Sequence, residues 1–457
     1  MSFPAYPEYK DSGVPWLGEV PVHWPVTRLK NSVADCRNGI WGDEPQGDEN
    51  DIICVRVADF IRETALVDLT SPTYRNVREQ DRESRIVRPG DLLLEKSGGG
   101  EKQVVGAVVR YTHSEPAICS NFVARMQLAP SMCSLFWAYV HAAAYAVRLN
   151  YRSVKQTSGI QNLDQTQYLD ELAAFPPIEE QTAIAAFLDK ETAKIDALVA
   201  EQERLIELLK EKRQAVISHA VIKGLNPDAP MKDSGIEWLG EIPVHWEVRS
   251  IGSVSTKITN GYVGPTRDIL VDDGVRYLQS LHIKRNRINF HSPYYVTEDW
   301  SQQHAKSILK AGDVLIVQTG DIGQVAVVPP EFAGCNCHAL IIVSPTDGWL
   351  QGEWLAWVLN SPYGLNSLLA IQTGALHPHL NCGNVKDVAI PLPPMDEQSE
   401  LVEHIEHQTR DFDRLIDEAQ SAITLLQERR AALISAAVTG KIDVRGLVDA
   451  SVKMETA

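Results

Sequence analysis

The sequence predicts an α+β chain: two pseudo-twofold-related modules, mixed and β-rich with helices, separated by a long antiparallel two-helix coiled coil. Three observations carry this. First, DSGVPWLGEVPVHW at Asp11–Trp24 returns as DSGIEWLGEIPVHW at Asp233–Trp246, and PPIEEQ at Pro176–Gln181 returns as PPMDEQ at Pro393–Gln398. A repeat at about half the chain length points to two large modules rather than a solenoid. Second, two long segments carry the same heptad stripe of apolar residues. Third, the stretches between the repeats share an order of short β-rich runs while sharing little identity. The segments are 1–24, 25–175, 176–246, 247–392 and 393–457.

The first segment, rich in Pro and aromatic residues, reads as extended chain with turns, anchored by Trp16 and Trp24. In the second segment, β-rich runs at Ile52–Val57, Asp91–Leu94 and Val104–Arg110 precede a helical stretch at Leu135–Leu149. The fourth repeats the order: Val275–Leu278, Asp313–Gln318, Val325–Val328, then a helical Trp354–Leu369. Fixed points survive between them. NGIWG (Asn38–Gly42) matches NGYVG (Asn260–Gly264), RVADF (Arg56–Phe60) matches QSLHI (Gln279–Ile283), and RPGDLLLEKSG (Arg88–Gly98) matches KAGDVLIVQTG (Lys310–Gly320).

The two helical segments give the strongest signal. Ile184, Leu188, Ile195, Leu198, Leu205, Leu209 and Val216 follow a 3.5-residue period, and Leu401, Ile405, Phe412, Leu415, Ala422, Leu426 and Leu433 take the same seven places. Each segment opens with Pro and acids (Pro177, Glu179, Glu180; Pro394, Asp396, Glu397). Each closes with bases and then Gly224 or Gly440, as the helix dipole and capping favour. Some 40 helical residues would span roughly 60 Å. A stripe of that length has to be covered, and two equivalent stripes in one chain do so most economically by pairing; the alternative is that each helix lies on its own module.

Motifs for catalysis are missing from the sequence. Asp91 with Glu95-Lys96 has a faint likeness to a nuclease cluster, but in the repeat Asp313 is followed by Val317-Gln318, so Asp91 reads as a turn residue opening a strand. SGGG with Lys102 lacks the phosphate-loop spacing. Cys335-Asn336-Cys337-His338 has no second ligand cluster at zinc-like spacing, and His377-Pro378-His379 is unmatched in the other module, so no metal site is expected. Seven scattered cysteines without a signal-peptide pattern suit a reducing, cytoplasmic setting. No apolar run is long enough to span a bilayer.

The net charge of −17 is unevenly spread. Segment 25–175 has 17 basic and 19 acidic residues and segment 247–392 has 10 and 12, so both modules are near neutral; segment 393–457 alone carries 7 and 13. A near-neutral module can read base edges, but phosphate-driven affinity has to come partly from elsewhere. Asn, Gln, Arg and Lys, the side chains suited to bidentate base contacts, gather where the modules differ. Ser97–Gln103 stands against Thr319–Gln324, and Thr157–Asn162 against Thr373–Asn381.

Two variable modules alternating with WLGE-IP-HW elements (Trp16–Trp24, Trp238–Trp246) and PLPP-x-x-EQ helices (Pro176–Gln181, Leu392–Gln398) resemble the specificity subunit of bacterial type I restriction–modification systems. The likeness covers nearly the whole chain, and KGLNPDAPMKDSGIEWLGEIPVHW is similar to the family's central region. The resemblance implies a non-catalytic DNA reader. Segments 25–175 and 247–392 would be target-recognition domains, each taking one half of a bipartite site in double-stranded DNA. The paired helices would fix the spacer and dock two modification (methyltransferase) subunits, joined by restriction/translocase subunits. S-adenosylmethionine, ATP and Mg²⁺ would belong to those partners, with no cofactor on this chain. A coiled-coil scaffold that does not read DNA and a stand-alone methyltransferase or nuclease are the competing readings.

The candidate DNA-binding residues are Asn38, Trp41, Arg56, Ser97, Lys102, Gln103, Gln161 and Asn162 in the first module. In the second they are Asn260, Tyr262, Gln279, Thr319, Gln324, His377, His379 and Asn381. The candidate coiled-coil and partner residues are Leu188, Ile195, Leu198, Leu205 and Leu209, with Ile405, Phe412, Leu415, Leu426 and Leu433.

Overall fold

A computed structural model describes residues 3–100, 103–157, 160–284, 286–374 and 378–447. The chain divides into two compact units, Met1–Gln202 with Ser421–Ala457, and Glu203–Gln420. Each holds one β-rich module and about half of each long helix. Among the described residues, no helix is long and apolar enough to cross a membrane.

In the first unit a six-stranded sheet begins in the order Val33–Asn38, Val123–Leu128, Leu92–Glu95, Val108–Arg110. A second sheet pairs Asp51–Val55 with Ala117–Cys119 in parallel and with Tyr74–Asn76 antiparallel. The continuous apolar run Leu92–Leu94 is explained by burial on both faces. Leu92 and Leu94 join the core built on the helices, while Leu93 points to the other side among Val55, Val109 and Cys119. The second unit repeats this. Its four-stranded sheet runs Ser255–Asn260, Leu340–Pro345, Val314–Val317, Val325–Val327; Val314 and Ile316 face one core, Leu315 and Val317 the other.

Two local expectations change. The first-module strand near Val104 begins at Val108, because Val105 bonds to the side chains of Asn150 and Gln161 instead of to a neighbouring strand. The helical stretch from Trp354 is two helices, Gly352–Asn360 and Pro362–Ala370. Pro362 cannot continue the first, and the Ser361 hydroxyl caps the second by accepting from Gly364 N–H.

The long helices are Ile178–Lys223 and Met395–Val438. They pair antiparallel: Arg430 Nε donates to Asp196 Oδ1 at 2.9 Å in the first unit, and Arg213 Nε donates to Asp413 Oδ1 at 3.0 Å in the second. Both pairs obey one 217-residue offset, from Asp196 to Asp413 and from Arg213 to Arg430. Leu188, Ile195, Leu209, Ile405 and Leu433 are buried, and Phe412 and Leu426 partly so. The seam nevertheless differs from the expected stripe. Leu198, Leu205 and Leu415 are 51%, 42% and 38% exposed, whereas Ile206, Ile416 and Ile423 are buried. The alternatives differ by one residue, since a partner to the 188–195–202–209 row lies either three or four positions on. The three-step row would bring charged Glu191 and Lys212 inward. The four-step row brings Thr192, Val199, Ile206 and Arg213, whose polar members find partners in Tyr139 and Asp413.

The repeated motifs explain each other at the helix starts. Glu180 accepts from Tyr6 Oη (2.8 Å) and Trp24 Nε1 (3.0 Å) and meets His23 Nε2 at 2.7 Å; Glu397 meets His245 Nε2 at 2.8 Å. The side chains of the neighbouring Gln181 and Gln398 each donate to the carbonyl of the first proline of the motif, Pro176 or Pro393, and accept a backbone N–H from the module, Cys133 or Gln351. At the other helix ends, Gly440 lies against Pro21 and Trp24, and Gly224 against Trp246. The WLGE-IP-HW element thus clasps the start of one long helix to the end of the other.

The shifted seam gives a direct test by chemical denaturation of the whole chain. Ile206→Ala should destabilise by about 2–5 kcal/mol, while its neighbour Leu205→Ala should stay within about 0.5 kcal/mol. The reverse order would restore the stripe read from sequence.

Candidate nucleic-acid interface

In each unit the candidate residues gather at the same place on the sheet. The first strand of each sheet ends in Asn-Gly, and the Gly is there for space. A Cβ on Gly39 would lie 2.0 Å from the Cys119 carbonyl oxygen, and one on Gly261 2.5 Å from that of Cys337. This close approach ends the strand and leaves Asn38 and Asn260 at its rim. The second contributor follows the Gly-Asp strand, whose Asp closes its own turn: Asp91 accepts from Arg88 N–H, and Asp313 from Lys310 N–H. Burial raises the Asp91 carboxyl above its ordinary range.

In the first unit this brings Asn38, Ser97, Gln161 and Asn162 together. The strand Ser97–Gly98 pairs with Ile160–Leu163, placing Ser97 opposite Asn162. Ser97 Oγ donates to Asn162 Oδ1 at 2.6 Å, and Lys96 Nζ donates to Asn38 Oδ1 at 2.5 Å. Asn38 and Asn162 are exposed, while Gln161 is buried and accepts from Val105 N–H. Gly99 has φ +66°, and a Cβ there would press on the Gln103 carbonyl at 2.8 Å, so the chain crosses here only as glycine. Gln103 is exposed and exchanges backbone hydrogen bonds with Gly100. Lys102 lies outside the described residues.

Beside this edge is an open cleft of about 610 Å³ whose lining includes Arg37, Asn38, Arg85 and Lys96 together with Asp164, Gln165 and Thr166. Arg37, Arg85 and Lys96 were not among the residues picked out from the sequence. Arg85 reaches the cleft from 47 positions away, donating to the Asn38 carbonyl at 3.3 Å, and no local pattern announces it. The Lys96 ammonium could have been found from its place beside the fixed Gly-Asp strand.

Trp41 and Arg56 stand apart from the cluster. The Arg75 guanidinium covers the Trp41 ring at 4.0 Å, and Arg56 is held by Asp59 at 2.7 Å. In the second unit Thr319, His379 and Asn381 converge near Asn260. His379 bridges to both Thr319 and Thr373, Asn381 caps a short helix through Asn384 N–H, and Cys382 Sγ donates to Asn260 Oδ1 at 2.9 Å. Gln324 closes the same loop by accepting from Val317 N–H through its carbonyl. Tyr262 packs edge-on against Trp300 and His304, each at 5.1 Å. Gln279 opens a short turn in which its N–H donates to His282 Nδ1. His377 lies outside the described residues.

The arrangement offers amide and hydroxyl donors and acceptors along a sheet edge, with ammonium and guanidinium groups beside them in the first unit. Among the described residues it holds no nucleophile–base pair. Among the described residues no group of three His, Cys, Asp or Glu side chains is placed to hold a metal. In the Cys335–His338 stretch both thiols are buried, and burial pushes Cys335 up to about 11 and Cys337 higher still. His338 is lowered, chiefly by burial, and its Nδ1 lies 3.3 Å from Tyr277 Oη. Cys54 and Cys119 are likewise pushed up to about 12. A thiol-specific disulfide reagent at pH 8 should therefore leave Cys54, Cys119, Cys335 and Cys337 untouched until the chain is unfolded; rapid labelling of the native pair Cys335/Cys337 would contradict this packing.

Comparison with known proteins follows the same lines. A family model described as "Type I restriction modification DNA specificity domain" matches residues 243–425. The chain is 23% identical over 435 residues to the type I restriction enzyme EcoBI specificity subunit of Escherichia coli, covering 93% of this chain and 88% of that one. It is also 23% identical to the putative type I restriction enzyme MjaX specificity subunit of Methanocaldococcus jannaschii, over 94% and 96% of the two chains. Among solved structures, a chain from work on complex assembly and conformational transition of the type I R-M system shares the fold. Its TM-score is 0.70 at 16% identity, over 93% of this chain and 99% of that one.

Proposed function

We propose that this chain, a non-catalytic specificity subunit of the type I restriction–modification kind, reads a two-part DNA site, each module taking one half. The observation that carries this is the recurrence of one polar edge on one scaffold. Asn38, Ser97 and Asn162 converge in the first unit, and Asn260, Thr319 and His379 in the second. Equal placement with unequal side chains suits two readers of unequal half-sites. Amide side chains can pair with adenine in the major groove, and Lys or Arg with guanine or phosphate. The cleft cations Arg37, Arg85 and Lys96 supply phosphate contacts that orient the first module without themselves specifying sequence.

Methylation and cleavage reside in other subunits. The paired helices serve as the ruler between half-sites and dock two methyltransferase subunits, with restriction/translocase subunits joining the assembly in the bacterial cytoplasm. S-adenosylmethionine, ATP and Mg²⁺ act in those subunits. The acidic helices and near-neutral modules fit a reader whose partners complete the positive field around DNA.

The test is co-expression with the cognate methyltransferase and mapping of N6-methyladenine across a host genome. A gapped, two-part motif is expected; a contiguous motif would overturn the reading. In the same assay, matched seven-residue insertions after Leu205 and after Ala422 keep the heptad phase and add ~10 Å. The gap should then grow by about three base pairs, at 3.4 Å per step, with both half-sites unchanged. Within the first module, Lys96→Ala should weaken DNA binding uniformly and reduce the log–log salt slope by about one. Asn162→Ala should instead relax the first half-site by about 1–3 kcal/mol.

A further inference from the structure

The two modules hold their polar edges by different means. Both close the loop after the Gly-Asp strand through an equivalent backbone bond, Glu95 N–H to the Ala107 carbonyl (2.8 Å) and Val317 N–H to the Gln324 carbonyl (2.9 Å). The first loop therefore returns 12 residues on, and the second after 7. A longer loop leaves more conformations to suppress, and in the first module side chains suppress them.

Glu95 is the centre of that device. It is fully buried, where the second module has Val317, equally buried and apolar. A carboxylate without solvent is tolerated only when its oxygens are matched by donors, and here they are. Oε1 accepts from Arg62 Nη2 at 2.8 Å, and Oε2 faces the N–H groups of Gly106 and Ala107 at 3.2 and 3.3 Å. Glu95 thereby ties the residue just before Lys96 and Ser97 to the segment by which the loop returns. Tyr145 Oη donates to the Val104 carbonyl at 2.6 Å and lies 3.5 Å from Arg62 Nη1. The Val105 N–H is held by Gln161, from the strand that carries Asn162.

Resting on the proposed reading of DNA by this edge, we infer that Glu95 and Arg62 are positioning residues for the first half-site. The buried ion pair sets where Lys96, Ser97 and Asn162 stand, without touching DNA. The second module has apolar Val317 at this place, and its loop, closed by the equivalent backbone bond, returns five residues sooner.

The test is Glu95→Gln in the assembled methyltransferase complex, assayed on a library with each half-site randomised separately. Discrimination against single mismatches in the first half-site should fall by about tenfold, against a normal mismatch penalty of ~1–3 kcal/mol. Discrimination in the second half-site, and the salt slope, should stay at wild-type values. Hydrogen exchange at the Gly106 and Ala107 amides should accelerate alongside. Arg62→Lys, which keeps the charge, should retain most of the discrimination that Arg62→Ala loses. Unchanged first-half discrimination in Glu95→Gln, or an equal loss in both halves, would overturn the inference. If that variant does not assemble, Arg62→Ala, which leaves Glu95 its two amide donors, decides on the same two criteria. A wild-type complex with no two-part specificity would instead defeat the underlying DNA-reading proposal.

Discussion

The constraint on which the structure depends is that neither long helix can leave its apolar seam in water. Ile184, Leu188, Ile217 and Ile405 are almost wholly buried, and burying each such side chain contributes about 1.5–3 kcal/mol. Apolar burial alone specifies direction and register poorly, because a seam slipped by a heptad would bury nearly as much. The partly buried pairs Asp196–Arg430 and Arg213–Asp413 choose between those alternatives: they meet only in the antiparallel register observed. Their equal spacing along the sequence makes the choice twice over.

What the seam supports is held on by a repeated junction. A helix N-terminus is a place for carboxylates, and Glu180 and Glu397 there recruit the histidines of the HW dipeptides, His23 and His245. Gln181 and Gln398 bind the module on their other side. A four-residue signature, two prolines and then Glu-Gln after a two-residue interval, therefore joins three parts of each unit at once. Its second copy is not a perfect replica: Trp24 donates to Glu180, whereas the Trp246 indole N–H has no hydrogen-bond partner.

On this frame the modules keep their scaffold and vary their edges. Close backbone approach at Gly39 and Gly261 and the turn carboxylates Asp91 and Asp313 are common to both. Loop length, the buried Glu95 and the cations of the cleft are not. Invariance thus lies where backbone geometry leaves no alternative, and variation where side chains meet solvent.

The sequence by itself determined the repeat, the two long helices to within a few residues, the alternation of modules and helices, and the resemblance to restriction specificity subunits. These are properties of period and local composition, which short windows contain. Most loop candidates also converge, because the repeat pairs equivalent loops. Tertiary structure decided the rest. Whether Leu205 or Ile206 faces the partner depends on which row leaves the fewest charges unpaired, and that is settled only by Tyr139 and Asp413 arriving from elsewhere. Arg85 enters the cleft, and Arg62 reaches Glu95, across more than thirty residues. Arg56, suited by type to reading bases, is engaged by Asp59. A side chain's partner is a matter of distance in space, and residue type and spacing along the chain do not contain it.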